Sequence, residues 1–153
     1  MTSDNPNIDV ILEIFRRIEQ RDLERPNEDG AAALFHPDLE LHWPPSLPYG
    51  GVARGGRRDR PTWSDTWTPL QPTDAERRMD PRVIAASGDE IVVLWRQRGV
   101  TPDGERLDTE VLGLYRMRDG QLARGQMFYF DPAGVEQFLS RAKELLDRRT
   151  ARQ

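Results

Sequence analysis

The 153-residue chain has no cysteine, two histidines and, among its 22 basic residues, a single lysine, Lys143. Without cysteine, disulfide scaffolds, cysteine-based zinc sites, iron–sulfur clusters and thiol nucleophiles are all excluded. With only His36 and His42, a three-histidine metal centre cannot form, although a carboxylate-rich one could; no metal site is expected. Apolar runs such as Ile91 to Trp95 fall far short of the ~20 residues that span a bilayer, so no membrane partner is expected. The polar, acidic start from Met1 to Pro6 does not read as a signal peptide, and the expectation is a soluble, cytoplasmic protein. Positive charge is not in excess either. A net charge of −4 and an isoelectric point near 5.3 argue against a nucleic-acid partner. The basic cluster Arg54, Arg57, Arg58 and Arg60 reads as a solvated loop or helix start.

What is present is periodic. The length suits one domain, residues 1–153 with a core over 6–147. Ile8, Ile11, Leu12, Phe15 and Ile18 recur at helical spacing, which predicts a helix over 6–22 with Asn5 as its cap and Pro6 in its first turn. Pro26 stops it, and a second short helix is expected over 27–35. Residues 39–43 alternate apolar and polar, as a strand does. From Pro44 to Pro72 stand six of the twelve prolines and four glycines, which predicts a loop with a short helix near 62–68. Strands are expected over 82–87, 90–98, 106–118 and 121–130. Gly88-Asp89, Thr101 to Gly104 and Asp119-Gly120 supply the turns. Asp131-Pro132 opens an amphipathic C-terminal helix, with fraying expected over 148–153.

This order predicts an α+β fold: a curved antiparallel sheet made into a cone by the N-terminal helices, with a C-terminal helix beside it. The mouth of such a cone is a natural small-molecule pocket.

Several stretches in this order carry a resemblance: Phe35-His36-Pro37-Asp38, Ser46-Leu47-Pro48-Tyr49-Gly50-Gly51 with Arg54-Gly55, Val92-Val93-Leu94-Trp95-Arg96, and Tyr115 to Leu122. Together, over about residues 8–140, the chain resembles the SnoaL-like branch of the nuclear-transport-factor-2-like superfamily. The superfamily includes polyketide cyclases, ketosteroid isomerases, epoxide hydrolases, dehydratases and non-catalytic modules, so the fold alone does not settle function. The resemblance implies homodimerisation through the outer face of the sheet. It also places the relatives' acid–base positions on residues of another kind. The last-strand aspartate of the cyclases falls on Phe128, three residues before Asp131. The arginine and aspartate of the epoxide hydrolases fall on Trp95 and Gln97. The isomerase aspartate falls on Trp43, before Pro44.

Proton handling then falls to other groups. His42 can serve as acid or base near neutrality if its strand turns it inward, whereas hydrophobic parity turns Leu39, Leu41 and Trp43 inward instead. Asp108 and Glu110 share one strand face, either as a carboxylate pair or as ion-pair partners of Arg96 and Arg98. Asp131 can transfer a proton or cap the last helix, and Tyr129 can donate to a developing oxyanion. The candidate catalytic set is therefore His42, Glu110, Asp131 and Tyr129. Trp43, Tyr49, Trp63, Trp67, Trp95, Gln97 and Phe128 are the candidate substrate-binding set. The function expected is a cofactor-independent cyclase, isomerase or dehydratase of polyketide or terpenoid type, acting in an aromatic-lined apolar pocket. The alternative is a ligand-binding or dimerisation module of the same fold.

Overall fold

A computed structural model describes residues 4–20, 31–54 and 69–151. Helix α1 spans Pro6–Glu19. The Asn5 side chain accepts from the Asn7 amide at 3.0 Å, and proline stands in the first turn, as the sequence reading expects. The helix buries Ile11, Ile14 and Phe15, while Leu12 lies on its exposed edge; the apolar stripe is rotated by part of a turn from the one read in the sequence.

Instead of the end of a second helix, residues 31–34 form a single 3-10 turn leading straight into strand β1, Phe35–Trp43. Strand β2, Gly51–Arg54, lies within the stretch read as loop, and α2, Asp74–Arg77, is one turn long. The helix expected near 62–68 lies outside the described residues. Strands β3 (Arg82–Ser87), β4 (Glu90–Val100), β5 (Arg106–Arg118) and β6 (Gln121–Tyr129) follow as expected. Helix α3, Pro132–Ala151, continues through most of the segment expected to fray.

The six strands form one curved, unclosed sheet in the order β2-β1-β6-β5-β4-β3, within a mixed α+β fold. Adjacent pairs are antiparallel except β1 with β6, which is parallel. Asp119 and Gly120 both adopt positive φ (54° and 75°), which the tight β5–β6 hairpin requires.

Strand alternation sorts the side chains onto two faces. Inward stand Ile91, Val93, Trp95, Gln97 and Gly99 from β4, in register with Tyr115, Gly113, Val111, Thr109 and Leu107 from β5. Helix α1 lays Phe15 on this inner face, 6.0 Å from the Trp95 ring and 6.1 Å from the Tyr115 ring, centroid to centroid. Helix α3 contributes Val135, Phe138, Leu139 and Ala142. At Gly99 an added Cβ would stand 3.0 Å from the Phe138 ring and 2.6 Å from the Pro69 carbonyl oxygen, so glycine sets how closely α3 and the chain at Pro69 approach the sheet. Residues 69–79 are bound to the end of β4 by Gln71 N to Arg98 O (2.9 Å), Val100 N to Pro69 O (3.0 Å) and Arg96 N to Met79 O (2.7 Å). Among the described residues no helix is long and apolar enough to cross a membrane, and no group of three or more acidic or histidine side chains converges as a metal-ligand set.

Candidate functional site

The inner face is paved by aromatic rings in continuous contact. Trp43, at the end of β1, meets Tyr49 edge-on at 6.2 Å. Tyr49 meets Tyr129 of β6 at 6.4 Å, and Tyr129 meets Trp95 at 6.5 Å. The loop after β1 turns Tyr49 inward through Leu47 N to Pro44 O (3.2 Å) and Gly50 N to Leu47 O (2.8 Å). Only glycine fits at position 50, because a Cβ there would lie 2.2 Å from the Pro44 carbonyl oxygen. Gly113 and Gly125 leave a flat floor on which the Tyr115 ring lies; a Cβ at 113 would meet its hydroxyl at 2.3 Å.

Into this apolar surface a short polar chain is set. The Tyr49 and Tyr129 hydroxyls are 2.7 Å apart, and the Tyr129 hydroxyl donates to Gln97 Oε1 at 3.3 Å. With Tyr129 donating to Gln97, the proton between the two tyrosines comes from Tyr49. Burial pushes the phenols of Tyr49, Tyr115 and Tyr129 above their usual range. The Tyr129 hydrogen bond offsets part of this at Tyr49, the Trp95 indole beside Tyr115 offsets part there, and the proximity of Tyr49 adds to it at Tyr129. All three stay protonated at neutral pH, so they act as hydrogen-bond donors rather than bases. The inward positions of β1, β4, β5 and β6 carry no charged side chain. A buried carboxylate, Glu76, is committed to Thr73 and to Arg106 at 2.9 Å.

The structure thus brings together Trp43, Tyr49, Trp95, Gln97 and Tyr129. It places the other described candidates elsewhere. His42 lies on the outer face, with Nε2 3.2 Å from Glu40 Oε2. Glu110 lies on the same face and accepts from Arg96 Nη1 at 3.1 Å. Phe128 also points outward and is 47% exposed. Asp131 accepts from the Gly134 amide at 2.9 Å, capping α3. Trp63 and Trp67 lie outside the described residues. Phe15 enters the site without having been singled out for it. The signal available was its place on the buried stripe of α1.

The outer face is a ladder of ion pairs around exposed apolar side chains. Arg96 Nε meets Asp108 at 2.7 Å, Arg98 meets Asp108 at 3.3 Å and Asp80 at 2.9 Å, and Arg116 meets Glu90 at 2.8 Å. Burial works against the Asp108 carboxylate, but the Arg96 hydrogen bond and the Arg98 charge outweigh it and hold its pKa below the usual value. Between these pairs Val52, Leu114 and Phe128 stand exposed, with His42 and Gln126 in the row that runs from Val52 to Leu114.

A family model described as a SnoaL-like domain matches residues 11–125. Among solved structures the chain is similar to TerC co-crystallised with polyporic acid, at 22% identity and a TM-score of 0.70 over 89% of this chain and 99% of that one. It is similar to an NTF2-like protein of unknown function from Burkholderia pseudomallei, at 21% identity and a TM-score of 0.67 over 88% and 98%. It is similar to IdmH, a candidate polyketide cyclase from Streptomyces antibioticus, at 23% identity and a TM-score of 0.54 over 87% and 96%. No curated protein matches. At these identities the structural likeness speaks for the fold.

Proposed function

The chain belongs to the SnoaL-like family, and from that premise we propose that it is a cofactor-independent small-molecule cyclase or isomerase acting on the inner face of its sheet. The observation that carries the reading is the buried chain Tyr49–Tyr129–Gln97 within a wall of aromatic rings. A keto oxygen that accepts a hydrogen bond from the end of this chain leaves its carbon more electrophilic and its α-protons more acidic. The rings hold a flexible substrate in the fold from which its own nucleophilic carbon attacks. Holding a reactive conformer is worth effective molarities of roughly 10⁵–10⁸ M in well-oriented intramolecular reactions. In this reading the Tyr49 and Tyr129 hydroxyls, whose protons are engaged within the chain, fix the Gln97 end of it toward the substrate, and Trp43, Trp95 and Phe15 shape the substrate. His42, Glu110 and Asp131 serve the outer face and the helix cap.

One observation favours a second reading. No carboxylate or imidazole stands at an inward strand position among the described residues, which suits a protein that binds a small ligand without converting it. In either reading a second copy of the chain covers the exposed Val52, Leu114 and Phe128, with the flanking ion pairs setting its orientation.

The test is occupancy followed by turnover. Native mass spectrometry of the purified protein is expected to show a co-purifying small molecule, or uptake of added polyporic acid, and Tyr129→Phe is expected to weaken either. Conversion of the bound molecule supports the enzyme; retention unchanged supports the binding protein. Absence of any occupancy contradicts both.

A further inference from the structure

Gln97 is 0% exposed, at an inward position between Trp95 and Gly99, and only half of its amide is used. Oε1 accepts from the Tyr129 hydroxyl, while Nε2 has no hydrogen-bond partner. A buried donor without an acceptor carries the full cost of its lost hydration, which is why such groups are nearly always paired. An apolar residue of the same size would fill this position without that cost, since its inward neighbours Ile91, Val93 and Trp95 are apolar. Among the described residues none supplies the acceptor, the Thr109 hydroxyl opposite it in register included. The Tyr129 oxygen is engaged with Tyr49 at 2.7 Å. The Trp95 Nε1–H, beside the Tyr115 hydroxyl but short of hydrogen-bond geometry with it, is itself a donor. Among the described residues the interior around Gln97 therefore holds two buried donors without acceptors, Gln97 Nε2 and Trp95 Nε1.

We propose that Gln97 is the residue that selects the ligand: its Nε2 donates to a carbonyl oxygen, or to the enolate oxygen formed from it, on a flat and otherwise apolar molecule. This rests on the reading of the inner face as the ligand site and adds the chemical class to it. The fold leaves open a ketone-bearing substrate of polyketide type and a terpenoid hydrocarbon; the unpaired donor selects the first. A site built to hydrogen-bond its ligand discriminates strongly against a molecule that lacks the group, because the buried donor is then left unpaired.

The experiment uses three probes of one shape on the full chain, read by tryptophan fluorescence. They are 2-acetylnaphthalene, which only accepts, 2-isopropylnaphthalene, which does neither, and 2-aminonaphthalene, which mainly donates. The ketone is expected to bind about tenfold or more tighter than the hydrocarbon, and Gln97→Met is expected to abolish that preference. Gln97→Glu keeps the acceptor that faces Tyr129 and removes the amide donor. It is expected to lose the ketone at alkaline pH and regain it as the buried carboxyl protonates and becomes a donor. That recovery with acid is a readout a merely structural role would not produce, and thermal melting confirms that each variant is folded. Equal binding of ketone and hydrocarbon, tighter binding of the amine, or a ketone preference that survives Gln97→Met overturns the inference while leaving the inner face as the site. No binding of any probe at millimolar concentration overturns the reading of the inner face, and the inference with it.

Discussion

The two faces of one sheet are made from the same strands and do opposite things. Along β4 the inward residues are Ile91, Val93, Trp95, Gln97 and Gly99, all buried; one position out of phase stand Arg96 and Arg98, paired with Asp108, Glu110 and Asp80. Along β6, Tyr129 lies in the aromatic wall, while its neighbour Phe128 is among the most exposed large apolar side chains. The inner face therefore holds neutral polar groups where water is excluded, so each hydrogen bond is worth more and each unpaired donor costs more. The outer face holds charges in contact with water, where pairs contribute little. A residue's place in the alternation, more than its chemical type, decides whether it can take part in chemistry.

Predictions that break or sharpen this contrast run from large to small. Trp95→Ala is expected to cost about 3–5 kcal/mol of unfolding free energy in denaturant melts, because it opens a cavity between Phe15 and Tyr129. Trp95→Phe is expected to cost much less. Alkali comes next. The buried phenols of Tyr49, Tyr115 and Tyr129 bind their protons more tightly folded than unfolded, so their contribution is fully present below the unfolded pKa of about 10 and is lost as pH rises above it. Absorbance of phenolate is therefore expected to appear only together with loss of tertiary structure. Phenolate forming at pH 10 in a chain that remains folded would contradict the burial. On the outer face, His42→Ala and Glu110→Gln are expected to change stability by about 0–1 kcal/mol and to leave ligand affinity unchanged. A large loss of affinity from either would move the site outward.

Much of this was legible in the sequence. The two-residue period over 90–118 gave β4 and β5 with their hairpin partners, and the inward parity of Leu39 and Trp43 matches their burial. Other features depended on distant partners. Strand β2 is four residues long with little alternation of its own, and it exists because Gly51 to Arg54 pair with Trp43 to Glu40. The parallel pairing of β1 with β6 joins segments more than eighty residues apart and leaves no local mark. For the site, the sequence reading makes candidates of both Phe128 and Tyr129, although consecutive strand residues cannot face the same side. Gln97 carried its own signal, a polar residue in an otherwise apolar inward series. What no pattern showed was that half of its amide would go unpaired.

That adjacent pair gives the most direct test of the division between faces. Sedimentation and 2-acetylnaphthalene titration of the wild type, Tyr129→Phe and Phe128→Arg measure assembly and binding on the same samples. The account predicts a dimer whose ligand affinity falls several-fold in Tyr129→Phe with assembly intact, and a monomer with near-normal affinity in Phe128→Arg. Loss of binding in Phe128→Arg alone, with Tyr129→Phe unaffected, would contradict it.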